Sequence, residues 1–274
     1  MPTSETSLFP GVALITGAGR GIGESIALAF GEAGCKRIAI TDILTEQLAQ
    51  VHSAILSTAP GGGEEPEVFS LPGDIRNEHF VEKFVEKVVS RYGRLDYVVN
   101  CAGVIARGFA SSIETSPEQF DFINSVNYRG TWLVSRAALR KMVAQDQLPG
   151  SKPWRSPQRG SIVNMASQLG VVSRPGASAY CASKAAVIGL TRADAIDFSK
   201  DGIRDCVCPG VIDTDMTTSS GEVLEGLKPA VQIAPMGRMG DPREVADAVL
   251  FLSSEKASFV QGHALVVDGG YVIN

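Results

Sequence analysis

The sequence predicts an α/β fold, a single doubly wound (Rossmann-type) parallel sheet of seven strands with helices on both faces. Three observations predict it. Short apolar runs alternate with stretches whose apolar residues recur at helical spacing. The connections between them are short, as βαβ units require. The first apolar run ends in a glycine-rich turn that opens directly into a helix.

Each element follows from its residues. Val12-Ala-Leu-Ile-Thr16 is apolar almost throughout, as a strand covered on both faces must be. From Gly21 to Ala33, the residues Ile22, Ile26, Ala29 and Phe30 fall on one helical face, and Gly34 stops the helix. Further strands are predicted at Arg37–Thr41, Val68–Leu71, Leu95–Asn100, Gly160–Met165, Ile203–Val207 and Ala264–Val267. Helices are predicted over 43–57, 77–92, 117–126, 130–144, 178–200 and 242–252. The segment 59–66 is rich in Gly and Pro and reads as a loop. The Pro-rich stretch of about 148–158 reads as an inserted exposed loop, and about 213–235 as a substrate lid with a weak helical stretch. No internal repeat or composition shift divides the chain, so the expected layout is a tail, 1–10, and one domain, 11–274.

Composition narrows the function. A net charge of −5 offers no basic excess for phosphates, so nucleic acid is not an expected partner. No apolar run approaches the roughly 20 residues that span a bilayer, and the first ten residues lack the charged and apolar regions of a secretory signal. Cys35, Cys101, Cys181, Cys206 and Cys208 are an odd count scattered through apolar stretches, which reads as reduced thiols and a cytoplasmic protein. No His/Cys/Asp group has metal-ligand spacing, so no metal is expected. His52 and His79 fall on peripheral helices and His263 beside the last strand, none in an obvious catalytic setting.

Thr16-Gly-Ala-Gly-Arg-Gly-Ile-Gly23 lies between the first strand and the first helix. Gly17 permits a tight turn, and Gly21 and Gly23 allow close backbone approach and helix packing. The free N–H groups and dipole of the helix N-terminus suit a pyrophosphate. Asp42 ends the second strand, 19 positions after Gly23. An acid there can accept from ribose hydroxyls and would repel a 2′-phosphate, which favours NAD over NADP; it could equally cap the following helix. Arg20 keeps NADP open, since its guanidinium could pair with a 2′-phosphate. Tyr180 and Lys184 stand one turn apart on a predicted helix. A tyrosine of pKa about 10 is a poor base, and a neighbouring ammonium would lower it.

The chain from Val12 to Gly270 resembles the short-chain dehydrogenase/reductases, in their compact single-domain branch. The stretches that carry the resemblance are Thr16–Gly23, Asp74-Ile75, Asn100-Cys-Ala-Gly103, Asn127, Ser167, Tyr180-Cys-Ala-Ser-Lys184, Pro209-Gly210 with Thr214, and Asp268-Gly-Gly270. The resemblance implies Tyr180 as proton donor in reduction and base in oxidation. It implies Lys184 as the residue that lowers the tyrosine pKa and bonds the nicotinamide ribose, and Ser167 as the holder of the substrate oxygen. It implies Asn127 as the keeper of a water against the lysine. Cofactor contacts are implied for Gly17 and Ile22 at the pyrophosphate and for Asp74 and Ile75 at the adenine. They are implied for Asn100, Ala102 and Gly103 beside the adenosine ribose, and for Pro209, Ile212 and Thr214 around the nicotinamide carboxamide. Paired long helices imply a homodimer or homotetramer.

Two departures stand out. Cys101 replaces the second asparagine usual in the family. Ile203-Arg-Asp-Cys-Val-Cys-Pro209 runs one residue short, with Asp205 near the place of an asparagine; a one-residue slip inverts the faces of a strand. The expected function is an NAD(P)-dependent oxidoreductase interconverting a secondary alcohol and a ketone. A non-catalytic dinucleotide-binding scaffold and a cofactor-assisted isomerase or dehydratase are the alternatives. Val171, Val172, Met216 and the lid are expected to line an apolar substrate pocket.

Overall fold

A computed structural model describes residues 8–58, 65–105, 110–148, 154–155, 158–201, 206–218 and 221–274. In chain order these form β1 (Val12–Thr16), α1 (Gly21–Glu32), β2 (Arg37–Thr41), α2 (Thr45–Leu56), β3 (Glu67–Ser70), α3 (Glu78–Tyr92), β4 (Tyr97–Asn100) and α4 (Pro117–Asn124). They continue with α5 (Thr131–Met142), β5 (Ser161–Met165), α6 (Ser178–Asp197), β6 (Cys206–Pro209), α7 (Asp215–Thr218), α8 (Gly221–Ile233), α9 (Pro242–Ser253) and β7 (Ala264–Val267).

The seven strands form one sheet in the order β3-β2-β1-β4-β5-β6-β7, and every pairing is parallel. This is the doubly wound order, and the chain reverses its direction of travel between β1 and β4. Alternation along the strands feeds two cores. Ala13 and Ile15 of β1, Ile38 and Ile40 of β2, and Tyr97 and Val99 of β4 pack on one face with Ile26, Phe30, Val245 and Val249 of α1 and α9. Val12, Leu14, Ala39 and Val98 pack on the other with Val85, Val88, Leu133 and Ala138 of α3 and α5. Each such aliphatic side chain taken from water contributes about 1.5–3 kcal/mol, which is what holds both helix layers to the sheet.

Local chemistry sets the helix ends. Asn77 caps α3 by accepting from the Phe80 N–H at 3.1 Å, and Gly93, at φ +80°, ends it. Asp241 and Glu244 form a reciprocal capping box at α9, with Pro242 at its first position.

Several expectations need adjusting. The helices predicted over 117–126 and 130–144 are one run, because a π-turn over Ser125–Gly130 joins α4 to α5 without a break. The strand predicted at 203–207 lies at Cys206–Pro209, with Val207 opposite Met165 on one side and Leu265 on the other. Positions 202–205, including Asp205, lie outside the described residues, as do residues 1–7 of the tail, most of the 59–66 loop, and 149–153 and 156–157 of the inserted loop. The ends of that insertion are tied by an antiparallel bridge between Leu148 and Gln158. The lid is more helical than expected, containing both α7 and α8; its positions 219–220 lie outside the described residues.

No helix among the described residues is long and apolar enough to cross a membrane, and no cluster of possible metal ligands occurs among them. Cys35, Cys181 and Cys208 are buried cysteines and Cys101 is half-buried.

Candidate active site

The glycine-rich turn sits where the order of strands reverses, between the loop after β4 and the loop after β6. Gly17 has φ +66°, and a Cβ there would stand 2.5 Å from the Ala102 Cα. A Cβ on Gly23 would stand 2.0 Å from the Gly17 carbonyl oxygen, so α1 can rest on the turn only if that position is bare. Gly21, at φ +60°, faces Thr214, whose Cγ2 would be 3.2 Å from a Cβ. Thr16 Oγ1 accepts from the Ala102 N–H at 3.2 Å and ties the turn to the β4 loop. Arg20, the first-position cap of α1, makes no side-chain capping bond. The result is a cradle walled by backbone at a helix N-terminus, which fits a dinucleotide pyrophosphate. Ile22 leaves it at once and packs against the core of the α1 face.

Asp42 lies beside this cradle. Its Oδ2 accepts from the Gly19 N–H at 2.9 Å and its Oδ1 from the Leu44 N–H at 3.0 Å. It does not cap α2, whose cap position is Leu44. Arg20 turns to the other side, with Nη1 3.5 Å from Asp215 Oδ2 at the start of α7. Asp74 is clamped by Arg76, which donates from Nε at 2.8 Å and Nη2 at 2.6 Å to Oδ2 and holds its carboxyl below the usual range. The Ile75 side chain is buried against Gly130, where a Cβ would meet its Cδ1 at 2.6 Å.

Asn100 ends β4 at the head of the loop that carries Ala102 and Gly103. Its side chain is buried in a polar chain, donating to Asn164 Oδ1 at 2.8 Å and Ser135 Oγ at 3.0 Å, while Asn164 donates to Thr191 Oγ1 at 2.9 Å. The amide therefore joins β4, α5, β5 and α6 at the sheet end from which the loop departs. Asn164 is a residue the sequence reading missed. A lone amide in the apolar run Ser161-Ile-Val-Asn-Met165, opposite Asn100 in the register, is the signal that marks it.

The remaining candidates gather at the C-terminal ends of β4 and β5 and on α6. The Ser167 hydroxyl lies near enough to Tyr180 to favour its phenolate, and Ser167 Oγ accepts from the Leu169 N–H at 3.1 Å. Lys184 Nζ lies 5.8 Å from the centre of the Tyr180 ring and donates to the Met165 carbonyl at 2.7 Å. Gly103 completes the group, since a Cβ there would be 3.3 Å from Asn127 Oδ1 and 3.5 Å from Lys184 Nζ. Asn127 sits inside the π-turn with its side chain spent. Its Oδ1 accepts from the Val104 N–H at 2.8 Å, and its Nδ2 donates to the Val104 carbonyl at 2.9 Å and to Ser183 Oγ at 3.1 Å.

Burial dominates the titrations here. It pushes the Tyr180 phenol up to about 12, with the Ser167 hydroxyl opposing it. It pushes the Lys184 ammonium down to about 8. Cys101 is raised by burial to about 12, which leaves it a neutral thiol beside Lys184.

Pro209 ends β6 opposite Val267, Ile212 is buried, and the Thr214 N–H donates to Thr217 Oγ1 at 3.1 Å. Behind Ile212 lies a cavity of about 310 Å³ bounded by α8, the 236–240 segment and the residues after β7. Val171, Val172 and Met216 are not among its lining residues; Gln168, Ala234 and Met236 are. This cavity is thus built largely by α8 and the C-terminal segment, and Val171 and Met216 are exposed.

A bare phosphate cradle at the reversal of a doubly wound sheet, with a serine, a tyrosine and a lysine beside it, has the form of a dinucleotide-dependent oxidoreductase. Comparison with known proteins agrees. Residues 17–272 match the family model described as enoyl-(acyl carrier protein) reductase. The short-chain dehydrogenase fogB of Aspergillus ruber is 39% identical over 264 residues, spanning 95% of this chain and 96% of that protein. The 2-(R)-hydroxypropyl-CoM dehydrogenase of Xanthobacter autotrophicus is 36% identical over 262 residues, spanning 95% and 98%. The crystal structure of levodione reductase superposes with a TM-score of 0.86 at 32% identity, covering 97% of this chain and 99% of that one. The chain belongs to the short-chain dehydrogenase/reductase family, with the family's NAD(P)-dependent chemistry on alcohol/ketone pairs.

Proposed function

We propose that this protein interconverts a secondary alcohol and a ketone with NAD as its preferred dinucleotide, and that Tyr180 is its acid/base. The observation that carries the reading is the placement of the Ser167 hydroxyl near the Tyr180 phenol, with Lys184 Nζ 5.8 Å from the tyrosine ring. Two hydroxyls so placed can both bond one carbonyl oxygen, which polarises it and aligns a proton with it. Tyr180, held protonated by burial, is an acid at neutral pH and donates that proton in reduction. A bound nicotinamide dinucleotide supplies or takes up the hydride at the carbonyl carbon. Lys184 would bond the nicotinamide ribose. Asn127, fastened to Val104, fixes the loop that faces the lysine.

The cofactor contacts follow the cradle. Gly17 and Ile22 would meet the pyrophosphate through backbone, Asn100, Ala102 and Gly103 would form the loop beside the ribose, Asp74 and Ile75 would meet the adenine, and Pro209, Ile212 and Thr214 the carboxamide. NAD is favoured because the Asp42 carboxylate borders the turn, where it would repel a 2′-phosphate, and because Arg20 is turned away toward Asp215. We read 11–274 as one domain of a cytoplasmic homodimer or homotetramer. Phe120, Phe122 and Trp132, exposed on and beside α5, support pairing through that face.

Tyr180→Phe tests the mechanism. It is expected to lower kcat/KM for a reducible ketone by about 10²–10⁴-fold while NADH affinity stays within a few-fold. Unchanged turnover would overturn the role given to Tyr180.

A further inference from the structure

The turn of α6 that carries Tyr180 is held from outside the helix. Its cap residue, Ala177, makes no side-chain capping bond, and Tyr180 stands third in the helix. A first turn without a side-chain cap leaves its N–H groups short of partners and frays readily. Ser183 supplies the hold one turn further in. It has no exposed surface, and its Oγ donates to the Tyr180 carbonyl at 2.7 Å. The same oxygen accepts from Asn127 Nδ2 at 3.1 Å. Asn127 in turn accepts from the Val104 N–H at 2.8 Å and donates to the Val104 carbonyl at 2.9 Å. Helical geometry brings the Lys184 N–H to that Tyr180 carbonyl as well. One carbonyl therefore gathers Tyr180, Ser183 and Lys184, and one amide ties the group to the loop after β4.

The tip of Lys184 is fixed elsewhere, by the Met165 carbonyl at 2.7 Å. The spacing of phenol and ammonium then depends on how their shared turn is seated. The seat is close-fitting, since a Cβ on Gly103 would stand 3.3 Å from Asn127 Oδ1 and 3.5 Å from Lys184 Nζ. We propose, resting on the reading of Tyr180 as acid/base, that Ser183 is a positioning residue for the reaction. It carries the anchorage of Asn127 to the Tyr180 backbone and keeps the phenol and the ammonium in working geometry. Without it the turn can rock, and a small misplacement of an acid/base costs rate without loosening the ligands.

Thr191 provides the control. It lies further along the same helix, where its Oγ1 donates to the Val187 carbonyl at 2.8 Å and accepts from Asn164 Nδ2 at 2.9 Å. Both hydroxyls bridge a buried asparagine to the α6 backbone, but only Ser183 does so beside Tyr180. Ser183→Ala is expected to lower kcat about tenfold, with KM and NADH affinity within threefold of wild type. In alcohol oxidation with NAD the tyrosine must lose its proton, and a less well placed ammonium favours that loss less. The acid limb of the kcat profile is therefore expected to move up by about half a pH unit or more. Thr191→Val is expected to lower Tm by a similar amount while kcat stays within twofold and the limb stays in place. Ser183→Cys, close in size but a weaker hydrogen-bonding group, is expected to fall between wild type and Ser183→Ala, and it carries the test if the alanine variant does not fold. On an Asn127→Ala background, Ser183→Ala is expected to cost less than threefold, because the two act as one link. An unmoved kcat and limb in a folded Ser183 variant, an equal loss in Thr191→Val, or full additivity with Asn127→Ala would each overturn the proposal. Tyr180→Phe separates the two readings. Lost turnover there with Ser183→Ala unmoved overturns the positioning role alone, whereas full turnover there overturns the acid/base reading.

Discussion

The two wings of the sheet form their sides of the cleft by different means. On the wing of β3, β2 and β1 the wall is backbone, and it exists because side chains are missing at Gly17 and Gly23. On the wing of β6 and β7 the wall is side chain: Ile212, Ala234 and Met236, with α8 laid over them. A backbone wall has one shape and suits a ligand that never varies, such as a pyrophosphate. A side-chain wall changes with each substitution and suits a substrate that differs from one relative to the next. The difference explains why the cofactor side is written in a motif and the substrate side is not.

Gly23→Ala strikes the backbone wall hardest. With a Cβ at 2.0 Å from the Gly17 carbonyl oxygen, the turn must open. The variant is expected to lose about 100-fold or more in NADH affinity by fluorescence titration and about 1–3 kcal/mol of stability. Affinity within threefold of wild type would show that the wall is softer than its geometry implies.

Asp42→Asn probes the charge beside the same wall and keeps a side-chain oxygen for the Gly19 or Leu44 N–H. The ratio of kcat/KM with NADH to that with NADPH is expected to fall about tenfold, a change of about 1.4 kcal/mol. An unmoved ratio would remove Asp42 from cofactor choice.

The smallest effect is expected far from both walls, on the outer face of α6. Burial, with a contribution from the charge of Asp197, raises the Asp194 carboxyl to about 6. The folded chain then holds a proton up to about pH 6 that the unfolded chain releases near 4, so stability falls as pH rises through that window and the cost persists above it. Asp194 is partly exposed, which reduces the cost, so Asp194→Asn is expected to raise Tm by only about 1–3 °C at pH 7 and to leave it unchanged below pH 4. Equal shifts at both pH values would assign the gain to something other than the proton.

Much of this was legible in the residues. The runs Val12–Thr16, Arg37–Thr41 and Ala264–Val267 are strands from end to end, and the first, buried at every residue, is the uninterrupted apolar run that a central parallel strand needs. The pairing of Tyr180 with Lys184 follows from helical spacing alone. The π-turn was not legible, since Ser125–Gly130, with Val, Asn, Tyr and Gly, reads as a gap between two helices and not as a continuous widened turn. Nor was the direction of the Lys184 amine, which depends on the Met165 carbonyl of a strand 19 positions earlier. Nor were the partners of the Asn100 side chain, since Ser135 and Asn164 come from elements that meet only in three dimensions.

That polar chain also bears on how the sheet finds its alignment. Thr16, Asn100 and Asn164 are register partners across β1, β4 and β5, a short row of hydrogen-bonding side chains at the edge of an otherwise oily layer. An apolar parallel sheet is tolerant of slippage, because valine packs nearly as well beside one valine as beside the next. Sliding β5 by one position would face Asn164 with Val99, on the other side of the pleat, and strand two amides in hydrocarbon. At about 1–3 kcal/mol for each stranded group, the row disfavours the misaligned sheet more than it stabilises the aligned one. It acts as a proofreading mark for strand assembly, set into the same strand ends that carry the cleft.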